Sequence, residues 1–499
     1  MTIADDPGTT VESPISDVVR AGHDIDCLIV GSGTAGVTTA LALADRGLRV
    51  VIVEAGPLGL WSHIANARLG DSGGLAARVS SAATIPIAWC SEASAGGGEA
   101  EWEVPTWLAV GGRTLYWSGT TPRYQAWDFD DWPLTAADMS THYERAESLI
   151  KVSGSADPHR PPCYDSGRLR TAIEQLTAAG WPARPTPAAV DTAADRTFGA
   201  GFDSSTARLL ASEHLGWFSE GALVSLIAET VATKLLLDGD RLSGIEALDR
   251  RTGSRVVLRA RHVVLAGGAA QSTRLALVSG LGADNPFAGR YLSDHLFLEG
   301  VVEFGEPGPD GPFSLLIDPA PDRPYQIQVQ GCLGTTSYYK TPSGASGADI
   351  GGGPVTLAAF GVASTSAGNH VTVGDRDDPD YGSMQNMRVV CGRSAEDESR
   401  LAAMRDGAVR AAADFGARLT DVKVHRPGVA LHEVGGLRMS GDADSGVTDP
   451  FGQFWQVRNL SVADAAAFPS QGAANPYLTI TAWSLRHAEA LASRLDAGT

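Results

Sequence analysis

Four consecutive apolar residues, Cys27-Leu28-Ile29-Val30, read as a strand buried on both faces, the pattern of a parallel sheet. The run feeds Gly31-Ser32-Gly33-Thr34-Ala35-Gly36, and a helical pattern follows over residues 37–44. A second apolar strand, residues 50–53, ends on Glu54. This is a βαβ unit with glycines in G-x-G-x-x-G spacing at Gly31, Gly33 and Gly36. The first glycine permits the tight turn, the second lets a pyrophosphate approach the backbone, and the third lets helix and strand pack closely. Thr34 and Ala35 lie where the helix presents its free N–H groups to an anion. Glu54 stands where a carboxylate accepts hydrogen bonds from an adenosine ribose. Strand, turn, helix and acid together predict dinucleotide binding, because accidental glycines would leave Glu54 unexplained.

Beyond this unit the pattern changes several times. Residues 58–100 carry no clean period and predict irregular structure lying over the nucleotide. Gly111-Gly112-Arg113-Thr114-Leu115-Tyr116-Trp117-Ser118 suits backbone running close to a flat ring, and equally a glycine hinge beside a hydrophobic cluster. Helices are predicted over residues 136–152 and 167–179, with prolines breaking the chain from Pro158 onward. Residues 224–237 read as one strand, and residues 241–247 and 255–258 as the arms of a hairpin. A buried strand, residues 262–265, then enters the small turn Ala266-Gly267-Gly268 and a helix over residues 271–277. That second strand-to-glycine turn predicts a return to the nucleotide-binding sheet. Residues 300–425 alternate, as at 325–329 and 355–360, and predict an antiparallel sheet covered by a helix over 395–415. A glycine-rich loop over 343–353 is a candidate gate, and 375–380 a charged turn. Leu460 to Ala465 reads as a last buried strand ending in the acid Asp464. Asn475-Pro476 starts a final helix, with Asn475 as cap and Pro476 in the first turn. His432 lies beside the Gly435-Gly436 turn rather than on a regular apolar face, and its neutral pKa range suits acid–base work.

Length and composition narrow the class. A chain of 499 residues predicts two or three domains, and 43% hydrophobic with 19% charged residues is ordinary for an enzyme. The net charge of −19 argues against nucleic acid and anionic membrane surfaces. Five cysteines without a C-x-x-C suit a reducing compartment, and no metal cluster is expected. No apolar run reaches the length of a membrane span, and residues 1–24 lack the apolar core of a signal peptide. We expect a mobile N-terminal tail over 1–24 and a cytoplasmic location.

The motifs taken in order resemble the glucose–methanol–choline (GMC) family of flavin oxidoreductases, and within it the pyranose-oxidase-like members. The anchors are Gly31 to Gly36 with Glu54, Gly111-Gly112 with Thr114, and Ala266-Gly267-Gly268 followed by Gln271-Ser272. Further anchors are Gly289-Arg290-Tyr291-Leu292-Ser293-Asp294-His295, Asp464-Ala465 and Asn475-Pro476. The resemblance implies an α/β fold, α+β overall: a discontinuous Rossmann-like FAD-binding domain (25–155, 220–299 and 426–499) and an antiparallel-sheet substrate domain (156–219 and 300–425). It implies FAD near Gly31, Gly33, Thr34, Ala35, Gly36, Glu54, Gly112, Thr114, Tyr116, Trp117, Ser118, Val231, Ala266, Gly267, Asp464, Ala465, Asn475 and Tyr477. The family's active-site histidine falls on His432 and its partner on Asn475. His432 would take a hydroxyl proton, hydride would pass to flavin N5, and Asn475 would hold the substrate oxygen. The final helix would turn its positive end toward reduced flavin. Where some relatives carry a flavin-linking histidine, this chain has Tyr116, so FAD is expected to be non-covalent. The implied partners are an alcohol substrate and an electron acceptor, oxygen or another. Sugars, glycosides and aminosugars stay open, as does oligomeric state. A flavin-containing lyase of the hydroxynitrile-lyase kind and a non-catalytic flavoprotein are the alternatives.

Overall fold

The computed structural model describes residues 24–63, 105–154, 165–191, 201–216, 221–305, 313–331 and 355–497 apart from position 383, with a few isolated positions besides. A five-stranded parallel sheet runs in the order Leu460–Val462, His262–Leu265, Cys27–Val30, Val50–Val53, Val224–Ile227. Its strands are short, mostly apolar and buried, as a parallel sheet requires. The helix Thr34–Ala44 covers one face, and the C-terminal helix Tyr477–Asp496 packs on it. The approach of Thr34–Ala44 to the turn after Cys27–Val30 needs Gly36, since a Cβ there would lie 2.0 Å from the Gly31 carbonyl oxygen.

The stretch read as one strand over 224–237 is two. Val224–Ile227 ends the parallel sheet, and Thr230–Asp238 opens a three-stranded antiparallel sheet with Arg241–Asp249 and Arg255–Leu258. Glu229, at φ 51°, turns the chain between them, a backbone change that apolar content does not reveal.

A six-stranded antiparallel sheet follows the order Ala417–His425, Leu296–Phe304, Val355–Gly361, Tyr325–Gly331, Phe313–Ile317, Ala183–Pro185. Alternation along each strand divides its faces. Ile327, Val329, Leu315, Leu357 and Leu298 meet the helices Gly167–Ala178 and Ala395–Asp414 in one core. Gln326, Gln328 and Phe360 occupy the opposite face, which looks toward His432 and Asn475. The expected charged turn 375–380 is partly strand: His370–Asp377 pairs with Gln385–Val390.

Of residues 1–23 the structure describes Ile15 and Val18, and Val18 is buried in the main core. The loop expected over 343–353 and most of 58–100 lie outside the described residues. Among the described residues no helix is long and apolar enough to cross a membrane, and no group of side chains could hold a metal ion.

Candidate active site

His432 is set by its backbone before its side chain. Val434 exchanges two 2.9 Å hydrogen bonds with Ser293, which lays the segment around His432 alongside the segment before the strand Leu296–Phe304. Gly435 makes this possible, because a Cβ there would lie 2.2 Å from the Tyr291 carbonyl oxygen. The Asp294 carboxylate then accepts from the N–H groups of His432 (3.0 Å), His295 (2.8 Å) and Gly428 (3.0 Å). Burial, with the charge of Glu433 second, pushes the Asp294 pKa up.

This pairing puts two imidazoles together. His432 Nδ1 lies 3.0 Å from His295 Nδ1, and His295 Nε2 lies 2.7 Å from the Gly472 carbonyl oxygen. A carbonyl only accepts, so His295 Nε2 carries hydrogen. Burial depresses the His295 pKa to about 3, so its ring is neutral and its Nδ1 is an acceptor. Its single Nδ1 lone pair is shared between His432 Nδ1–H at 3.0 Å and the Gln471 amide at 2.8 Å. His432, held neutral by burial, by His295 and by Arg113, is thereby left with a bare Nε2. This tautomer follows from the hydrogen-bond network.

Asn475 meets that nitrogen, with Nδ2 donating to His432 Nε2 at 3.3 Å. Asn475 was expected to cap the last helix, but the cap position is Pro476 and no side chain closes it. Its Oδ1 instead accepts from Gln326 Nε2 at 2.9 Å and from Gln328 Nε2. Two buried amide donors fix which end of Asn475 faces His432. Sequence reasoning assigned no role to Gln326, Gln328 or His295. The readable signal was polar residues at every second position of an otherwise apolar strand.

The residues expected to hold FAD converge at the ends of the parallel strands. The helix Thr34–Ala44 starts at Gly33 with no side-chain cap and no acid in its first turn, leaving its N–H groups for an anion. A Cβ at Gly33 would meet nothing within 4 Å, whereas one at Gly31 would lie 2.5 Å from the Ala266 carbonyl oxygen. The turn is therefore tight toward Ala266 and Gly267 and open toward a ligand. Glu54 is buried and accepts from Ser32 N–H (3.0 Å), Ser32 Oγ (2.7 Å) and Gly56 N–H (2.9 Å), so it braces the glycine turn itself. Burial raises its pKa against those bonds. Val231 is buried beside it, just after Thr230, whose N–H donates to the Glu54 carbonyl at 2.8 Å.

Gly111 and Gly112, at φ 98° and 50°, bring the next loop against this turn, where Thr114 Oγ1 donates to the Gly111 carbonyl at 2.8 Å. Tyr116 is buried and Ser118 bonds Thr120. Trp117 stacks on Tyr477 with centroids 3.6 Å apart, and both rings bond Asp203, Trp117 through the carbonyl and Tyr477 through the carboxylate. Asp464 accepts from Gly268 N–H (2.8 Å) and Ser272 Oγ (2.6 Å), and burial raises its pKa to about 6. Ala465 opens the short 3-10 turn that follows. An uncapped helix start, open space at Gly33 and a buried acid beside it fit a dinucleotide. Asp203 and Arg208, a buried pair 3.0 Å apart whose guanidinium also reaches Thr34, were missed from sequence.

Residues 25–297 and 375–484 match N- and C-terminal family models, both described as GMC oxidoreductase. The chain belongs to the GMC oxidoreductase family. This GMC oxidoreductase is FAD-dependent and acts on CH–OH groups. It is similar to the 2-methyl-1,2-propanediol dehydrogenase of Mycolicibacterium austroafricanum, 25% identical over 96% of this chain and 97% of that relative. The paromamine 6'-oxidase of Streptomyces fradiae is 27% identical over 97% of this chain and 95% of its own. The C-glycoside 3-oxidase of Arthrobacter globiformis is 27% identical over 77% and 74%. The crystal structure of pyridoxine 4-oxidase from Mesorbium loti shares the fold, with a TM-score of 0.67, 17% identity, and cover of 93% of this chain and 99% of that one.

Proposed function

We propose that this GMC oxidoreductase oxidises a hydroxyl of a sugar, glycoside or aminosugar to a carbonyl, with His432 as general base. The observation that carries the reading is His432 Nε2 facing Asn475 Nδ2 at 3.3 Å. A substrate hydroxyl entering between them donates its proton to Nε2 and accepts from Nδ2. Bound FAD supplies the hydride acceptor. His295 holds the His432 ring through Nδ1, and Gln326 and Gln328 hold Asn475, so neither group reorganises as the proton moves. The relatives named for paromamine and for C-glycosides support a sugar-like substrate.

The same proposal includes two domains. The strands of the parallel sheet come from within 25–155, 220–299 and 426–499, which supports their forming the FAD-binding part. It also includes non-covalent FAD, with Tyr116 in place of a linking histidine, and a cytoplasmic location.

The test is anaerobic titration of the yellow holoenzyme with sugars, glycosides and aminosugars. Bleaching of the flavin band by one class, and its slowing by about 100- to 10,000-fold in His432→Ala, are expected. A wild-type rate of bleaching in His432→Ala overturns the assignment of the base. Release of the yellow colour on acid precipitation checks non-covalent binding.

A further inference from the structure

Arg113 follows the double glycine directly, yet its guanidinium reaches the segment that carries His432. Nη1 donates to the Leu431 carbonyl at 3.0 Å, and Nη1 and Nη2 both bond the Glu433 carboxylate, the second at 2.8 Å. The residues on either side of His432 are therefore held by one planar fork. Leu431 has φ 62°, a left-handed conformation that costs a branched side chain free energy and persists only where surroundings enforce it. Two anchors enforce it here: Arg113 on the Leu431 carbonyl, and Asp294 on the His432 N–H at 3.0 Å. Glu433 is buried, 5% exposed at its side chain, so its charge needs this partner.

We propose that Arg113 is a positioning residue for alcohol oxidation: its fork holds Leu431 and Glu433 so that His432 Nε2 stays aimed at Asn475. The proposal rests on His432 being the base. It ties the Gly111–Gly112 turn, on the cofactor side, to the proton-accepting ring. Lysine would keep the charge and lose the planar fork, so charge and geometry can be separated.

The charged and titratable groups around His432 give the pH dependence a sign. His295 and Asp294 face it from the segment before Leu296–Phe304, Arg113 from the glycine loop and Glu433 from its own segment, with Cys391 beyond Asp294. Asn475, Gln326 and Gln328 close the other side and do not titrate. Removing the Arg113 charge favours the imidazolium by losing a cation. Removing the Glu433 charge does the opposite.

The experiment measures the rate of flavin reduction against pH by anaerobic stopped flow, and kcat and KM by steady-state turnover with oxygen or a dye as acceptor, with FAD content and thermal midpoint recorded for each variant. Arg113→Lys is expected to hold FAD, keep KM within about twofold and lose about 10- to 100-fold in kcat, the order that small misplacements cost. In Arg113→Gln the acid limb is expected to move to higher pH, and in Glu433→Gln to lower pH or not at all. The double variant Arg113→Gln/Glu433→Gln is expected to bring the limb back while the rate stays low. Wild-type kcat and an unmoved limb in Arg113→Lys and Arg113→Gln would overturn the proposal. If Arg113→Gln fails to fold, Arg113→Lys decides: a wild-type kcat in a folded, FAD-bound Lys variant overturns the role. His432→Ala separates the two readings, since normal reduction there removes the base itself, whereas slow reduction there with normal Arg113 variants removes only this proposal.

Discussion

His432 and His295 meet Nδ1 to Nδ1 at 3.0 Å, with ring planes 81° apart. One histidine sets which nitrogen of the other is bare, because the Gly472 carbonyl fixes the hydrogen on His295. Replacing His295 by Ala removes the acceptor for His432 Nδ1–H and frees the other tautomer. Flavin reduction is expected to slow by about 10- to 1,000-fold, within or below the ~10²–10⁴ lost with a general base itself. Stopped-flow reduction at saturating substrate checks this, and an unchanged rate would mean that the tautomer is set elsewhere.

Asn475 offers a charge test at constant shape. In Asn475→Asp, the carboxylate still accepts from Gln326 and Gln328 but no longer donates to His432 Nε2. An anion there stabilises imidazolium and raises the His432 pKa. The acid limb of flavin reduction is expected to move to higher pH, with the rate at neutral pH falling at least tenfold. A limb that stays in place would show that the two side chains do not face each other in solution.

The wild-type pH profile has a sign of its own. Burial, His295 and Arg113 all lower the His432 pKa below the ordinary imidazole value. The active form is the neutral one, so activity persists as pH falls through the usual histidine range near 6.5 and is lost only below it. A rate against pH for anaerobic reduction that falls off at or above that range would contradict this environment.

Glu54 separates cofactor binding from chemistry. Its carboxylate closes the Gly31–Gly36 turn through Ser32 and Gly56. Glu54→Ala leaves those donors unpaired, at about 1–3 kcal/mol for a buried donor without a partner. Reduced FAD content and a lower thermal midpoint are expected, while the FAD-bound fraction is reduced by substrate at close to the wild-type rate. Full FAD occupancy and an unchanged midpoint would show that neither the turn nor the cofactor depends on this acid.

The chain by itself determined the parallel sheet and the glycine turn. These depend on local pattern: runs such as Val50–Val53 fit only a strand buried on both faces, and Gly36 is needed where helix and strand touch. His432 and Asn475 were also legible, by resemblance to a family motif. Tertiary structure decided what surrounds them. His295 and Arg113 lie 137 residues and more from their partners His432 and Glu433 in the chain, and Gln326 lies 149 from Asn475. A hydrogen-bond partner at such separation leaves no local period. The break at Glu229 and the turn at Leu431 were hidden for another reason, because a left-handed residue that is not glycine carries no compositional mark. Sequence pattern records which residues must leave water. Which polar groups then satisfy one another is fixed only when the two sheets and the final helix are packed together.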